Sequence, residues 1–414
     1  MDRIRHVPNH FLSLSVKEKL LFFLYLLPLF SLFFYSFTQI DLSLALSRNE
    51  GLQEIVKSFQ QIGYFNRPLS TTLFIAITLT LFIFYITFLR MAFKKKISKA
   101  FAWILIGTAT IVLTFSYNAF SYDIFNYIFD AKIITEYGQN PYMQKALDYP
   151  QDPMLSFMRW THRVYPYGPV WLALTVPISF IGLQIFLLTF LLFKLFIVAT
   201  FVGCVYFIGK ILQKVAPERE VLGILFFGLN PLLLVESVIS AHIDIVMMCA
   251  ALLATYLFVN EKHKASYGML FVSIGIKFVT AALLPVFLVV QRMKSQYITI
   301  RWSYVFGACL MLLIGGVIAQ SMRSNFQPWY LIDVLAFAAL ISHRYYIVIP
   351  SIIISFFALL NYVPFLYVGN WDKPIPQALS DMNFLSYSLS FLIVGMYFFF
   401  KQVQFARRVK KNKK

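Results

Sequence analysis

A chain of 414 residues with 59% hydrophobic and 13% charged side chains carries about half the roughly 25% charge of a soluble domain. That excludes a water-soluble globular fold and leaves a polytopic membrane protein as the class. The net charge of +18 is no nucleic-acid signal, because Lys and Arg gather at the ends of apolar runs as orientation signals do.

Arg3, Arg5, Lys17 and Lys19 precede the first apolar run, residues 20–40. That run is too long for a cleaved signal and reads as a span with a cytoplasmic N-terminus. Residues 41–70 then lie outside, mixed in charge and part helical. A second span, 71–89, returns to Lys94, Lys95, Lys96 and Lys99, and a third, 100–117, delivers Asp123 to the external face. The longest hydrophilic stretch follows, an external loop over 119–167. Residues 168–181 form too short a run to cross and read as a helix at the outer interface. Residues 184–208 cross inward to Lys210, Lys214 and Arg219; 221–235 go out, and 243–259 return to Lys262 and Lys264. One crossing over 267–290 would strand Arg292, Lys294 and Arg301 outside, so two short helices meeting near Lys277 are expected. Runs 302–319, 331–341, 345–360 and 384–400 lead to a basic cytoplasmic tail, 401–414. The expected architecture is all-α, a single transmembrane domain over 1–414 with about 11–13 crossings. Cys204, Cys249 and Cys309 each lie in an apolar run and suit core packing, with no spacing for a metal or disulfide framework.

The chemistry-bearing residues collect on the external side. Asp123 and Asp130 stand seven residues apart, close to two helical turns, with Asn126 and Tyr127 between them on one face. The same loop carries Glu136, Asp148, Asp152, Arg159, His162 and Arg163, then Tyr165-Pro-Tyr-Gly-Pro169. Asn230-Pro231, Glu236 and Ala241-His-Ile-Asp244 fall at outer ends of later runs, with Lys277 at the hairpin turn and Gln327-Pro-Trp-Tyr330 at another outer end. Ionisable residues at such depth mark function. Plainer roles stand beside that reading: Asp123 capping a helix, Asp130 paired with Lys132, His162 and Arg163 as ordinary loop residues, Glu236 packed or capping, and Lys277 snorkelling.

Taken in order, these motifs resemble the GT-C glycosyltransferases, and within them the polyprenyl-phosphate-mannose-dependent mannosyltransferases and their bacterial relatives. The resemblance spans about 121–330. It rests on Asp123-x3-Tyr127 with Gly138-x-Asn-Pro-Tyr142, on Tyr165-Pro-Tyr-Gly-Pro169 where the family has Tyr-Pro-Pro, and on Asn230-Pro231 with Glu236. Ala241-His-Ile-Asp244, where the family has Gly-His-Asn-Asp, Lys277 before Leu284-Pro285, and Pro328-Trp-Tyr330 complete it. Ile243 and Tyr167 replace the family's asparagine and proline in a pocket that therefore differs.

The resemblance implies a GT-C bundle with a catalytic first external loop. Its activity would be transfer of a hexose, mannose by resemblance, from a polyprenyl- or dolichyl-phosphate donor to a glycan, lipid or protein acceptor outside the membrane. Asp123 would be the general base, with Asp130 sharing the acceptor or tuning it. Lys277, Arg163 and His162 would meet the lipid phosphate, and His242, Asp244, Glu236 and Tyr165 would hold donor or sugar. No metal and no cofactor is expected. The competing class is a transporter or lipid flippase using Asp123, Asp244 and Lys277 as a path. It expects repeat symmetry, which the sequence does not show.

Overall fold

The computed structural model describes residues 14–44 and 49–411, with the backbone alone over 403–411. Arg3 and Arg5, and the end of the basic tail at 412–414, lie outside the described residues. Many helices begin where the sequence supplies an acceptor or a proline for free N–H groups. Ser15 and Glu18 form a reciprocal box at α1 (Val16–Phe37). Asn49 caps α2 (Glu50–Gln60), an exposed amphipathic helix within the segment expected to be part helical. Asn66 and Pro68 open α3 (Arg67–Phe93), and Ser98 caps α4 (Lys99–Thr114). α5 (Asp123–Thr135) lies in the long polar segment, and Pro169 opens α6 (Pro169–Ile181). α7 (Phe186–Val215) and α8 (Glu220–Gly228) follow, then α9 (Pro231–Leu233), which runs into a π-helical turn, Leu234–Ile239. The remainder comprises α10 (Asp244–Val259), α11 (His263–Ile276), α12 (Leu284–Ser295), α13 (Trp302–Ser324), α14 (Leu331–Leu340), α15 (Tyr345–Leu360), α16 (Val363–Val368) and α17 (Ile375–Lys411).

The protein is an all-α polytopic membrane protein. Among the described residues seven helical stretches are long and apolar enough to span, and an eighth follows if Pro217–Gly228 and Pro231–Ile239, bent by 51°, are one. Four shorter apolar helices, including α4, α6 and α10, add to these. Apolar runs alone suggest 11–13 crossings because periodicity does not separate a lipid-facing span from a short helix buried in protein.

α10 is such a buried helix. Twelve of the sixteen residues from Asp244 to Val259 are buried, against α7 on one side and α11 on the other. The two short helices expected around Lys277 are present. The Tyr267 hydroxyl donates to Gln291 at 2.6 Å and Lys294 pairs with Glu261, so α11 and α12 run antiparallel with Lys277 at the apex. α13 and α17 expose Tyr304, Met311, Phe384, Phe391 and Phe399. In a chain this apolar, those side chains face lipid.

Candidate active site

Asp123 is the first residue of α5, and the segment leading to it is tied down at several points. Tyr117 N–H donates to Ser36 Oγ at 3.0 Å, Lys194 donates to the Ser116 carbonyl, and Asp123 N–H donates to Ser121 Oγ at 3.1 Å. Tyr122 reaches back to buried Asp41 at 2.9 Å, and Arg159 pairs with the same carboxylate at 3.3 Å. The Asp123 carboxylate does not cap α5. It faces His242, whose Nδ1 lies 3.5 Å from Asp123 Oδ2.

The other side of His242 meets Glu236. Their Nε2–Oε2 separation is 3.2 Å, and the other Glu236 oxygen accepts from Tyr362 at 2.9 Å. Glu236 is placed there by the π-helical turn, a local widening that often accompanies functional sites. Neither imidazole nitrogen makes a well-aligned hydrogen bond. The ring is held by these two carboxylates and by stacking on Trp329, centroids 4.2 Å apart and planes 17° off parallel. Ala241 takes a φ of 56° to turn the chain here. That left-handed conformation costs an L-residue roughly 1–2 kcal/mol, and a glycine would adopt it without strain.

One residue beyond Ile243, Asp244 opens α10 and accepts from Lys277 Nζ at 2.6 Å. Lys277 also lies over the Tyr330 ring at 5.1 Å. Its backbone is extended between α11 and the next 3-10 turn, where the hairpin apex presses on the start of α6. Gly168 N–H donates to the Ile276 carbonyl at 3.1 Å, and a Cβ at Gly168 would stand 2.0 Å from the Gly275 carbonyl. This is why the Tyr-Pro-Tyr-Gly-Pro segment has glycine at position 168. Tyr127 closes the circuit by accepting from Ile243 N–H at 3.5 Å. Asp123, Glu236, His242, Asp244 and Lys277 thus form one contiguous cluster drawn from α5, the π turn, α10 and the hairpin apex.

The members differ in access. The side chains of Glu236 and His242 are fully buried and Asp244 is 1% exposed, whereas Asp123 and Lys277 keep 15% and 19%. The accessible groups are one acid and one cation, each backed by buried partners.

Asp130 lies on the same face of α5 as Asp123. Among the described residues it makes no hydrogen bond or ion pair; Lys132 pairs instead with Glu136 and Asp152, which removes the plainer reading of an Asp130–Lys132 pair. Burial pushes the Asp130 carboxyl up to about 8. Tyr165 donates to the Gly168 carbonyl at 2.9 Å and packs edge-on to Tyr142 and Tyr167, shaping the entry to α6. His162 and Arg163 are not brought to the cluster. Both are exposed, Arg163 lies over the Trp160 ring at 4.3 Å, and among the described residues no hydrogen bond or ion pair joins either to Asp123, His242 or Lys277.

Asp333, Trp329 and Tyr362 complete the surroundings. Asp333 sits in the first turn of α14, fully buried, close enough to Lys277 and Asp244 for their charges to interact, and neither carboxyl oxygen has a hydrogen-bond partner. A signal for it was present: it is the lone acid in the apolar run 331–341. Trp329 belongs to the Gln327-Pro-Trp-Tyr330 segment that the sequence singles out, whereas Tyr362 lies in apolar sequence where nothing distinguishes a site residue from packing.

No curated protein and no solved structure matches this chain. A family model does: the alpha-(1->6)-mannopyranosyltransferase N-terminal domain (MptA_B family) matches residues 29–294, more than half of the chain, and the match takes in all five members of the cluster. The chain therefore belongs to the alpha-(1->6)-mannopyranosyltransferase family and is a membrane-embedded mannosyl-transferring enzyme.

Proposed function

We propose that the enzyme moves mannose from a polyprenyl- or dolichyl-phosphate carrier to an acceptor hydroxyl at the outer face of the membrane, with Asp123 as general base. The observation that carries this reading is the pairing of access with support: Asp123 and Lys277 are the open members of a cluster whose other groups are buried behind them. An acceptor hydroxyl is a weak nucleophile, and a carboxylate within hydrogen-bond reach takes its proton as the oxygen attacks the anomeric carbon. The bond from that carbon to the carrier phosphate breaks, and its electron pair leaves with the phosphate oxygen. A single displacement of this kind inverts the anomeric centre. The charge gathering on the phosphate needs a cation in a site where water is scarce, and Lys277 supplies it. Asp244 holds the lysine in place, and His242, backed by Glu236, holds the Asp123 carboxylate. Arg163 and His162, exposed on the loop, are given no part in the chemistry. A transporter would need ionisable groups continuing through the bundle, whereas this cluster occupies one end of α5, α10 and α14.

The test is transfer by purified protein from a panel of radiolabelled donors in the presence of membrane-derived acceptors. Label is expected to move from polyprenyl-phosphate mannose and not from a nucleotide-activated mannose. The reverse preference would remove the lipid donor from the proposal.

Asp130 adds a pH dependence. A carboxyl titrating near 8 is neutral at pH 7, and above that value it gains a negative charge on the α5 face that must admit an anionic donor. Raised from its free value of 3.8, it contributes stability fully below that value and loses the contribution as pH climbs through about 8. kcat/KM is expected to fall about tenfold per pH unit above about 8, and Asp130→Asn should flatten that limb. An unchanged alkaline limb in the variant would assign the titration to another group.

A further inference from the structure

A second site lies at the far end of the bundle. α10 and α14 both lead away from the cluster, and α14 ends at Leu340, in the wall of a cleft of about 280 Å³. Arg219, Arg301, Trp302, Ser303 and Phe306 line it, with Glu218 at the side. The volume falls just short of the roughly 300–1,000 Å³ of pockets that enclose drug-sized ligands, so it suits a headgroup and not a whole lipid.

The chemistry of the lining favours an oxyanion. Arg219 is oriented from two sides: Nε is ion-paired with Glu218 at 2.9 Å and Nη1 donates to His343 Nδ1 at 3.3 Å. His343 lies between α14 and α15, where burial and the charges of Arg219 and Arg344 hold its pKa down to about 4, so it stays neutral and accepts. The Nη2 group of Arg219 has no hydrogen-bond partner among the described residues. Arg301 is exposed, and its guanidinium makes no hydrogen bond or ion pair among them. It is also the N-cap of α13, a 23-residue helix that starts in the cleft wall with no side-chain cap, adding a helix N-terminus and the Ser303 hydroxyl. Two guanidinium groups, free N–H donors and a hydroxyl are a phosphate-binding set.

The surroundings favour a lipid as the source of that phosphate. Trp302 stacks on Phe306 at the cleft, the kind of aromatic that settles at a membrane boundary. From there Tyr304, Met311 and Ile318, spaced by seven, are 73%, 65% and 56% exposed, an apolar stripe along α13 on which an acyl chain can lie. We propose that this cleft binds the phosphate of an anionic phospholipid in the leaflet opposite the mannosyl-transfer site, with the acyl chain along α13.

The experiment uses the full-length protein in detergent, exposed to equal amounts of phosphatidylglycerol and phosphatidylcholine, with retained lipid counted by native mass spectrometry. Wild type is expected to retain the anionic lipid preferentially, and R219A/R301A to lose roughly tenfold or more of that preference. K262A/K264A removes two cations from the same end outside the cleft and should behave as wild type. Arg301→Ala alone, with no side-chain partner to lose, carries the test if the double variant does not fold, with a loss of roughly fivefold. Equal retention by wild type and the arginine variants, or an equal fall in the lysine control, overturns the site. Thermal stabilisation by inorganic phosphate as large as that by phosphatidylglycerol overturns the lipid as its ligand.

Discussion

Asp123→Asn should leave a folded protein that transfers mannose at a rate reduced by about 10²–10⁴, the usual worth of a positioned general base. The substitution keeps the shape of the side chain and its capacity to meet His242 Nδ1, now 3.5 Å from the carboxylate, and removes only the ability to take a proton. Because Asp123 is the first residue of α5 and its carboxylate caps nothing, no helix end is lost. The fall should therefore appear in kcat with little change in KM, and the thermal midpoint should stay at the wild-type value. The measurement is transfer of labelled mannose from polyprenyl-phosphate mannose, followed in the same preparations used for the midpoint. An Asn variant working at the normal rate would take the proton-transfer role from Asp123.

Much of this site is legible in the sequence, for physical reasons that particular residues make plain. A charge in a chain with so few is conspicuous: Asp123, Glu236 and Asp244 stand at the ends of apolar runs, and Lys277 interrupts one. The hairpin at Lys277 follows from where Arg292 and Lys294 can lie, and the antiparallel contacts of Tyr267 with Gln291 and Glu261 with Lys294 agree with it. What sequence does not carry is pairing across distance. Nothing local says that Asp41 accepts from Tyr122 and Arg159, 81 and 118 residues away. Nothing local says that Trp329 will lie against His242. His162 and Arg163 show the same limit: adjacent cations next to a conspicuous motif read as a phosphate clamp, and sequence alone does not say that Arg163 lies over the Trp160 ring. Helix length is the other limit, since α10 is as apolar as a span yet has only 16 residues and is buried in protein.

Lys277 separates catalysis from stability most sharply. Its ammonium is paired with Asp244, which is 1% exposed, and lies near Asp333, whose oxygens have no hydrogen-bond partner. Lys277→Met should therefore strip the cation from two buried acids at once and destabilise the protein by roughly 3–5 kcal/mol, the cost of breaking a buried pair from one side. Transfer should be lost as well, but that loss alone would say nothing about chemistry. Adding Asp244→Asn removes the charge that Lys277 meets directly and leaves Asp333 alone without its cation, so the double variant Lys277→Met/Asp244→Asn should recover a large part of the stability. If Lys277 meets the departing phosphate, activity does not return with the fold, because no cation remains where the charge develops. If mannose transfer rises in step with the thermal midpoint, the lysine is a structural partner of Asp244 only, and the cation that steadies the leaving group must be sought on the substrate side of Asp123.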